Sequence, residues 1–125
     1  MANHGQIISV PGLLAGADLS AYQYRPVKLA STAGEVVAAT ANTDAVVGIL
    51  QNDPTDGQAA SVAGVGSLTI AKSGTSVIAA GAYLTCNTTG LVATTSDNAL
   101  ICGRATQAAT AAGDLIMITV LAGRY

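Results

Sequence analysis

The sequence repeats one pattern twice, at a spacing of roughly 55 residues. Residues 29–48 contain a glycine, an apolar run with strand-like composition, a polar turn and a second apolar run that ends in glycine; residues 85–103 show the same succession. The corresponding glycines are Gly34 with Gly90 and Gly48 with Gly103. A unit of this length holds several strands, so the repeat predicts two β units that close one core between them.

The composition limits what can fill that core. Half of the 125 residues are hydrophobic and 10% are charged, and the chain has 14 Gly but no Trp or Phe. Ala, Val, Ile and Leu must therefore form a modest core of single-domain size. A net charge of −2 provides no basic surface, which disfavours nucleic acid as a partner. So few charges favour a surface that contacts another protein, although a stable domain with nothing docked on it has the same composition.

Short apolar runs separated by Asn, Asp, Gly and Pro predict an all-β fold. We expect a small barrel or sandwich built from two similar β units, about residues 27–64 and 83–121, with an irregular N-terminal arm. The arm covers residues 1–20, and residues 21–125 form a single β domain. Only the alanine runs 78–82 and 107–112 favour a helical turn.

Two local features predict details of the strands. Pro26 lacks an N–H donor, so its strand either lies at a sheet edge or breaks there. Residues 67–70 alternate polar and apolar side chains, which predicts a strand that exposes Ser67 and Thr69 on one face.

The two cysteines fit a protein made and kept in a cytoplasm. The N-terminus lacks the positive region of a secretory signal, and no apolar run reaches the roughly 18 residues of a membrane span. Cys86 and Cys102 take the repeat positions of Ala30 and Val47. We expect both to be small buried apolar residues; a bridge between them is the less favoured alternative.

The sequence offers little for catalysis or for binding a metal or cofactor. His4 is the only histidine and lies in the arm, where it could not serve as an ordered base. Residues 53–57 resemble a calcium loop but lack its alternating ligands, so they predict a turn. Asp44 and Asp97 share a repeat position and are best explained as turn residues rather than a carboxylate dyad. We therefore predict a protein that is not an enzyme, with no catalytic, metal or cofactor-binding residues.

Four short motifs occur in an order and spacing that narrow the function. They are Asp-Leu-Ser-Ala-Tyr-Gln-Tyr at 18–24, Gly-Glu-Val at 34–36, Val-Gly-Ile-Leu-Gln-Asn-Asp-Pro at 47–54 and Ala-Ala-Gly-Asp at 111–114. In this arrangement the chain resembles the small capsid decoration (cement) proteins of tailed bacteriophages, over about residues 15–121. It departs from the family pattern at Pro26, where an aromatic residue is common, and through residues 67–89.

The resemblance implies a structural virion protein on the outer surface of a phage head. It implies a homotrimer that bridges major capsid protein subunits, made in the host cytoplasm, without nucleic-acid or membrane partners. The candidate contacts with the capsid or between subunits are Ile7, Ile8, Val10, Leu13 and Leu14 of the arm, together with Tyr22 and Tyr24. The arm is expected either to clamp the capsid or to pack on its own domain.

Two other classes of function stay open on the sequence alone. One is a different virion or surface β module, such as a fibre base or adhesin unit, that does not bind the capsid shell. The other is a small ligand-binding barrel, which requires a concave pocket with convergent polar groups.

Overall fold

The computed structural model describes residues 6–125 and contains only strands and turns in that range. Ten strands form two five-stranded sheets, which confirms the all-β prediction. The first sheet contains β1 (Leu14–Ala15), β2 (Pro26–Leu29), β3 (Glu35–Ala38), β4 (Val46–Leu50) and β5 (Val62–Gly64). The second sheet contains β6 (Leu68–Lys72), β7 (Tyr83–Asn87), β8 (Gly90–Ala93), β9 (Leu100–Ala105) and β10 (Leu115–Arg124).

The sequence repeat corresponds to a repeat of strand order. The first sheet runs β1-β3-β2-β4-β5, and the second, read from its β8 edge, runs β8-β7-β9-β10-β6. Strands β2 to β5 therefore take the same places as β7 to β10, and every neighbouring pair within both sets is antiparallel. Two similar β units, as the sequence predicts, make up the fold.

The segment before each unit closes that unit in the same manner. β1 pairs in parallel with β3, and Ser73, just after β6, makes a parallel bridge to Leu91 of β8. At the opposite edge of the first sheet, Ser9 makes an antiparallel bridge to Ala63 of β5. In the same way, β6 pairs antiparallel with β10 in the second sheet. Residues 6–15 thus take the place in the first unit that β6 takes in the second.

The buried side chains form two clusters where the sequence analysis expected a single core. One cluster belongs to the first unit and includes Leu13, Val27 and Leu50. The other belongs to the second unit and includes Leu84 and Ile118, but it also contains Ile49 of β4. Successive side chains of a strand point to opposite faces, so Ile49 and Leu50 enter different cores. Both side chains are fully buried, so β4 contributes to the hydrophobic cores of both units.

Pro26 and the alternating strand β6 show the limits of the local patterns. Pro26 is the first residue of β2, which is a central strand. The predicted strand break at Pro26 is therefore confirmed, and the alternative of an edge strand was wrong.

In β6 the alternation is present, but its direction is inverted: Ser67 and Thr69 are buried and Leu68 is exposed. The buried hydroxyls are satisfied, since Ile8 N donates to Ser67 Oγ at 2.8 Å and Thr69 Oγ1 donates to Gln51 Oε1 at 3.1 Å.

The alanine-rich runs form turns and bridges instead of helical segments. Ile78 and Ala109, one from each run, are joined by an antiparallel bridge with two backbone hydrogen bonds. Both residues are buried in the core of the second unit. Tertiary packing therefore overrides the helix propensity of alanine here.

The second glycine of each repeat lies where two strands approach closely. Gly48 of β4 faces Gly64 of β5, and Gly103 of β9 faces Val120 of β10. A Cβ at Gly48 would collide with the carbonyl oxygen of Ala63, and one at Gly103 would lie 2.8 Å from that of Thr119. These contacts are with backbone atoms, which cannot move aside without disturbing the sheet.

We expect Gly48→Ala and Gly103→Ala each to lower the free energy of unfolding by about 1–3 kcal/mol, through overpacking. Gly123→Ala is the matched control, because nothing lies within 4 Å of its added Cβ and its backbone conformation is ordinary. Its effect should stay within about 0.5 kcal/mol in urea unfolding curves. Equal stabilities for all three variants would contradict the close approach at the repeat glycines.

Candidate functional site

The residues that the sequence analysis considered for chemistry form turns or lie outside the described range. No group of three or more His, Cys, Asp or Glu side chains within residues 6–125 could hold a metal ion. His4 lies outside the described residues. Residues 53–57 form a turn in which Thr55 N donates to Gln58 Oε1 at 2.9 Å, with Asp53 and Asp56 exposed. Within the same range no helix is long and apolar enough to cross a membrane.

Asp44 stabilises a turn and does not form a dyad with its repeat mate. Its Oδ2 accepts hydrogen bonds from the backbone of Thr40 and Ala41, and its Oδ1 forms an ion pair with Lys28 Nζ at 3.0 Å. The Thr40 amide and the Lys28 ammonium favour the charged carboxylate, so the pKa of Asp44 lies below its usual value. Asp97 is exposed in the corresponding turn of the second unit. The carboxylate of Asp44 is thus committed to local structure.

The two cysteines are free, buried thiols. Burial, with the nearby negative charge of Asp44, raises the pKa of the Cys86 thiol to about 11. Cys86 Sγ also donates to the carbonyl of Ala41 at 3.1 Å. Burial raises the pKa of Cys102 well above its usual value. A thiol that stays protonated at neutral pH is a poor nucleophile, so neither cysteine is suited to covalent catalysis.

The predicted contact residues of the arm divide into two groups. Ile7, Ile8 and Leu14 are exposed, at 46, 52 and 43% of their full accessible surface. Leu13 belongs to the core cluster of the first unit, and Val10 packs against that cluster. Residues 6–15 of the arm thus pack on their own domain through Val10 and Leu13, while the side chains of Ile7, Ile8 and Leu14 are exposed.

The two candidate tyrosines are half-buried near the junction between the units. Tyr22 packs against the first core cluster and carries the guanidinium of Arg25 above its ring, 5.5 Å from the centroid. Tyr24 has a left-handed backbone conformation, with φ at 67°. Its N–H donates to Leu50 O at 2.7 Å and its carbonyl accepts from Lys72 N at 2.8 Å. Tyr24 therefore links the first unit to β6 through its backbone.

Sequence reasoning missed other exposed apolar residues near the arm. Val65 and Leu68, at the turn from β5 to β6, are 50 and 37% exposed. The arm lies against this turn: Leu68 N donates to Gln6 O at 2.9 Å, and a Cβ added to Gly66 would lie 3.1 Å from Ile8 Cδ1. We call Ile7, Ile8, Val65 and Leu68 the arm patch. The sequence pattern missed Leu68 because the alternation of β6 is inverted, whereas Ile7 and Ile8 were predicted.

A second exposed cluster was also missed. The rings of Tyr83 and Tyr125 meet edge to face, with centroids 6.2 Å apart, and the guanidinium of Arg104 lies 5.0 Å from the centroid of Tyr83. These residues come from three distant parts of the chain, and β7 and β9 bring two of them together by pairing Tyr83 with Arg104. Tyr and Arg are the residue types enriched at protein interfaces.

Residues 6–125 thus combine two β-sheets, protonated buried thiols and exposed apolar patches, which suit contact with another protein. The sequence matches the family described as phage cement protein over residues 23–121, most of the chain, and the protein belongs to that family. No curated protein of significant similarity was found. Cement proteins are structural and not enzymatic; they bind the capsid and decorate and stabilise the virion surface. Membership of this family favours a capsid-binding protein over the two alternative classes, a surface module that does not bind capsids and a ligand-binding barrel.

We expect the native thiols to react at least about a hundredfold more slowly with a disulfide reagent at pH 8 than those of the unfolded chain, because little thiolate is present in the folded state. The reaction is followed by absorbance, with and without urea. Cys102→Ala leaves Cys86 as the single thiol and identifies which cysteine reacts. A thiol of the folded protein that reacts with the reagent within seconds would contradict the burial of these side chains.

Proposed function

We propose that this protein coats the outer surface of a phage head and bridges neighbouring major capsid protein subunits as a homotrimer. Membership of the cement family carries the proposal. The low charge of the chain and its exposed apolar side chains support it, because such a surface is stabilised by contact with another protein. The protein would be present in the host cytoplasm during assembly and on the virion afterwards.

The arm patch is the part of the surface that we assign to the capsid. Its backbone is held by Gly64 N donating to Ile8 O at 2.8 Å and by the bond from Leu68 N to Gln6 O. An apolar surface on an already ordered backbone loses little conformational entropy when it docks. In this proposal Val10 and Leu13 anchor the arm, and the arm patch contacts the capsid together with the exposed Leu14.

Three arms in a trimer make the binding multivalent. Each large apolar side chain contributes at most about 1.5–3 kcal/mol when fully buried. After one arm has bound, the others bind at a high effective concentration, so modest contacts combine into a strong attachment. A trimer that spans a junction opposes separation of the subunits beneath it, which stabilises the shell against the pressure of packaged DNA.

The cluster of Tyr83, Arg104 and Tyr125 is our candidate for the contact between subunits of the trimer. It presents two aromatic rings and a guanidinium on the second unit, away from the strands that hold the arm. Tyr22 and Tyr24 remain candidate contacts through the accessible part of each side chain.

The double variant Ile7→Ser/Ile8→Ser should bind bare phage heads at least about tenfold more weakly, because apolar contact is lost from each of three arms. Its melting temperature should stay within about 2 °C of wild type, since both side chains are exposed. Co-sedimentation with heads measures the binding. Val77→Ser, which changes a side chain that is 67% exposed elsewhere, is the control and should bind normally.

Unchanged binding by the double variant would assign the docking surface to another face. Deleting residues 1–14 is a less discriminating test, because it also removes Leu13 from the core of the first unit. Loss of binding by such a deletion could result from unfolding.

We expect three copies per assembly in native mass spectrometry, and density at three-fold positions in image reconstructions of decorated heads. The variant Tyr83→Ser/Tyr125→Ser should shift free protein from trimer toward monomer if this cluster joins the subunits. Density at two-fold positions, or copies bound singly, would contradict the trimer.

A further inference from the structure

Two cations at the junction of the units have no acidic partner in the part of the chain that the structure describes. Arg25 immediately precedes β2, and Lys72 is the last residue of β6. Both line an open cleft of about 490 Å³, with Thr75, Thr88 and Thr89 on its other side. The only ion pair among residues 6–125 joins Lys28 to Asp44, outside this cleft.

The Nε of Arg25 is a buried donor that has no acceptor among the described residues. Its side chain is held in place from two sides. The guanidinium lies over the ring of Tyr22, and the Cδ and Nε atoms lie 3.8 Å from the position of a Cβ added to Gly90. A buried N–H without an acceptor destabilises the folded state. Arg25 also lines the cleft with a positive charge that no carboxylate of the described residues pairs with.

Arg104 provides the contrast within the same molecule. It also lies over a tyrosine ring, that of Tyr83, but its Nε donates to the carbonyl of Gly81 at 3.0 Å and its side chain is exposed. The two arginines therefore share their aromatic contact and differ in whether the protein supplies an acceptor.

The acidic residue next to Lys72 in the fold is already engaged. Asp114 adjoins Leu115, the partner of Lys72 in the sheet, but its Oδ2 accepts from the amides of Thr110 and Ala111 at 2.9 and 3.0 Å. The side chain of Lys72 lies beside Gly113, with its Cε 3.6 Å from an added Cβ there. No carboxylate among the described residues pairs with Arg25 or Lys72, so both cations are available to a carboxylate of another molecule.

The shape of the cleft favours a segment of protein over a single ion. A second cleft of about 410 Å³, lined by Gln23 and Tyr24, shares Lys72 and Gly113 with the first. The two clefts form one groove along the junction, with Lys72 in its middle. Because lining residues from Ser20 to Thr89 border it, the groove accommodates an extended segment of chain better than a single ion.

We propose that this groove binds an acidic segment of the capsid, with carboxylates that pair with the guanidinium of Arg25 and the ammonium of Lys72. The inference rests on the proposed function for the identity of the partner. A charge-assisted bond to a guanidinium is among the stronger polar contacts in proteins.

The test uses the full chain, labelled with ¹⁵N, and the capped peptide acetyl-Glu-Glu-Glu-amide as probe. We expect the Arg25 Nε–H resonance and the amides of Gly74, Thr75 and Thr89 to shift on titration, and the shifts to weaken as salt is added. The uncharged peptide acetyl-Gln-Gln-Gln-amide should leave them unchanged. Arg25→Gln and Lys72→Gln should each weaken peptide binding at least about tenfold, and Arg104→Gln is the matched control.

Several outcomes would overturn the proposal. They are equal shifts with the glutamine peptide, shifts centred on Arg104, no shift at millimolar peptide, or shifts with inorganic phosphate but not with the acidic peptide. Melting curves show whether each variant is folded. If Arg25→Gln unfolds, Arg25→Lys, which keeps the charge but removes the guanidinium, takes its place.

Co-sedimentation with bare heads separates this inference from the proposed function. If wild type binds heads and Arg25→Gln and Lys72→Gln bind equally well, the groove is not a capsid site although the proposed function stands. If wild type does not bind heads, the proposed function fails, and with it the capsid as source of the segment. The peptide titration then still decides whether the groove binds carboxylates.

Discussion

Burial of strand β4 on both faces is the constraint on which the fold depends. Ile49 enters the core of the second unit and Leu50 that of the first, and both are completely buried. A strand buried on both faces cannot be polar on either, and its neighbours must approach closely. This explains why the run at 46–50 is apolar throughout and why Gly48 lies against the backbone of β5. The two small cores are thereby fixed to each other without a large aromatic residue in either.

The polar contacts at the junction follow from the same arrangement. Next to β4, the buried hydroxyl of Thr69 donates to the side chain of Gln51. The carbonyl oxygen of Tyr24 accepts a hydrogen bond from the backbone N–H of Lys72 in β6. These bonds satisfy groups that burial would otherwise leave unpaired. Arg25 is the exception, because its Nε faces the junction with no acceptor. A cement protein requires no reacting group, and its function depends on which surfaces such a rigid junction holds in place.

The sequence predicted the features that are encoded locally and repeated. The glycines at 48 and 103, the buried cysteines and the turns at Asp44 and 53–57 all follow from residue type and spacing, and the structure agrees with them. The second glycine of each repeat is required because backbone of the next strand occupies the space of a side chain.

Features that depend on contacts between distant parts of the chain could not be predicted from local residue type and spacing. The direction in which Ser67 and Thr69 point is set by Ile8 and Gln51, whose proximity no local pattern reveals. The division of the arm into buried and exposed residues depends on β5, about fifty residues later in the chain. The unpaired Nε of Arg25 becomes apparent only when the two units are placed side by side.

The position of the arm has a consequence for the order in which the protein folds. Ile8 bonds to Ser67, 59 residues away, and Ser9 bridges to Ala63, so this segment has its partners only once β5 and the turn into β6 are in place. In the first unit, β2, β3 and β4 pair through short connections. The segment around Ser9 that closes this unit pairs with β5, and that contact closes a loop of more than fifty residues. The second unit has its closing strand, β6, already attached to β5 by a short turn. The edge of the first unit is therefore closed by a contact across more than fifty residues, whereas the matching edge of the second unit is closed by a strand that follows a short turn.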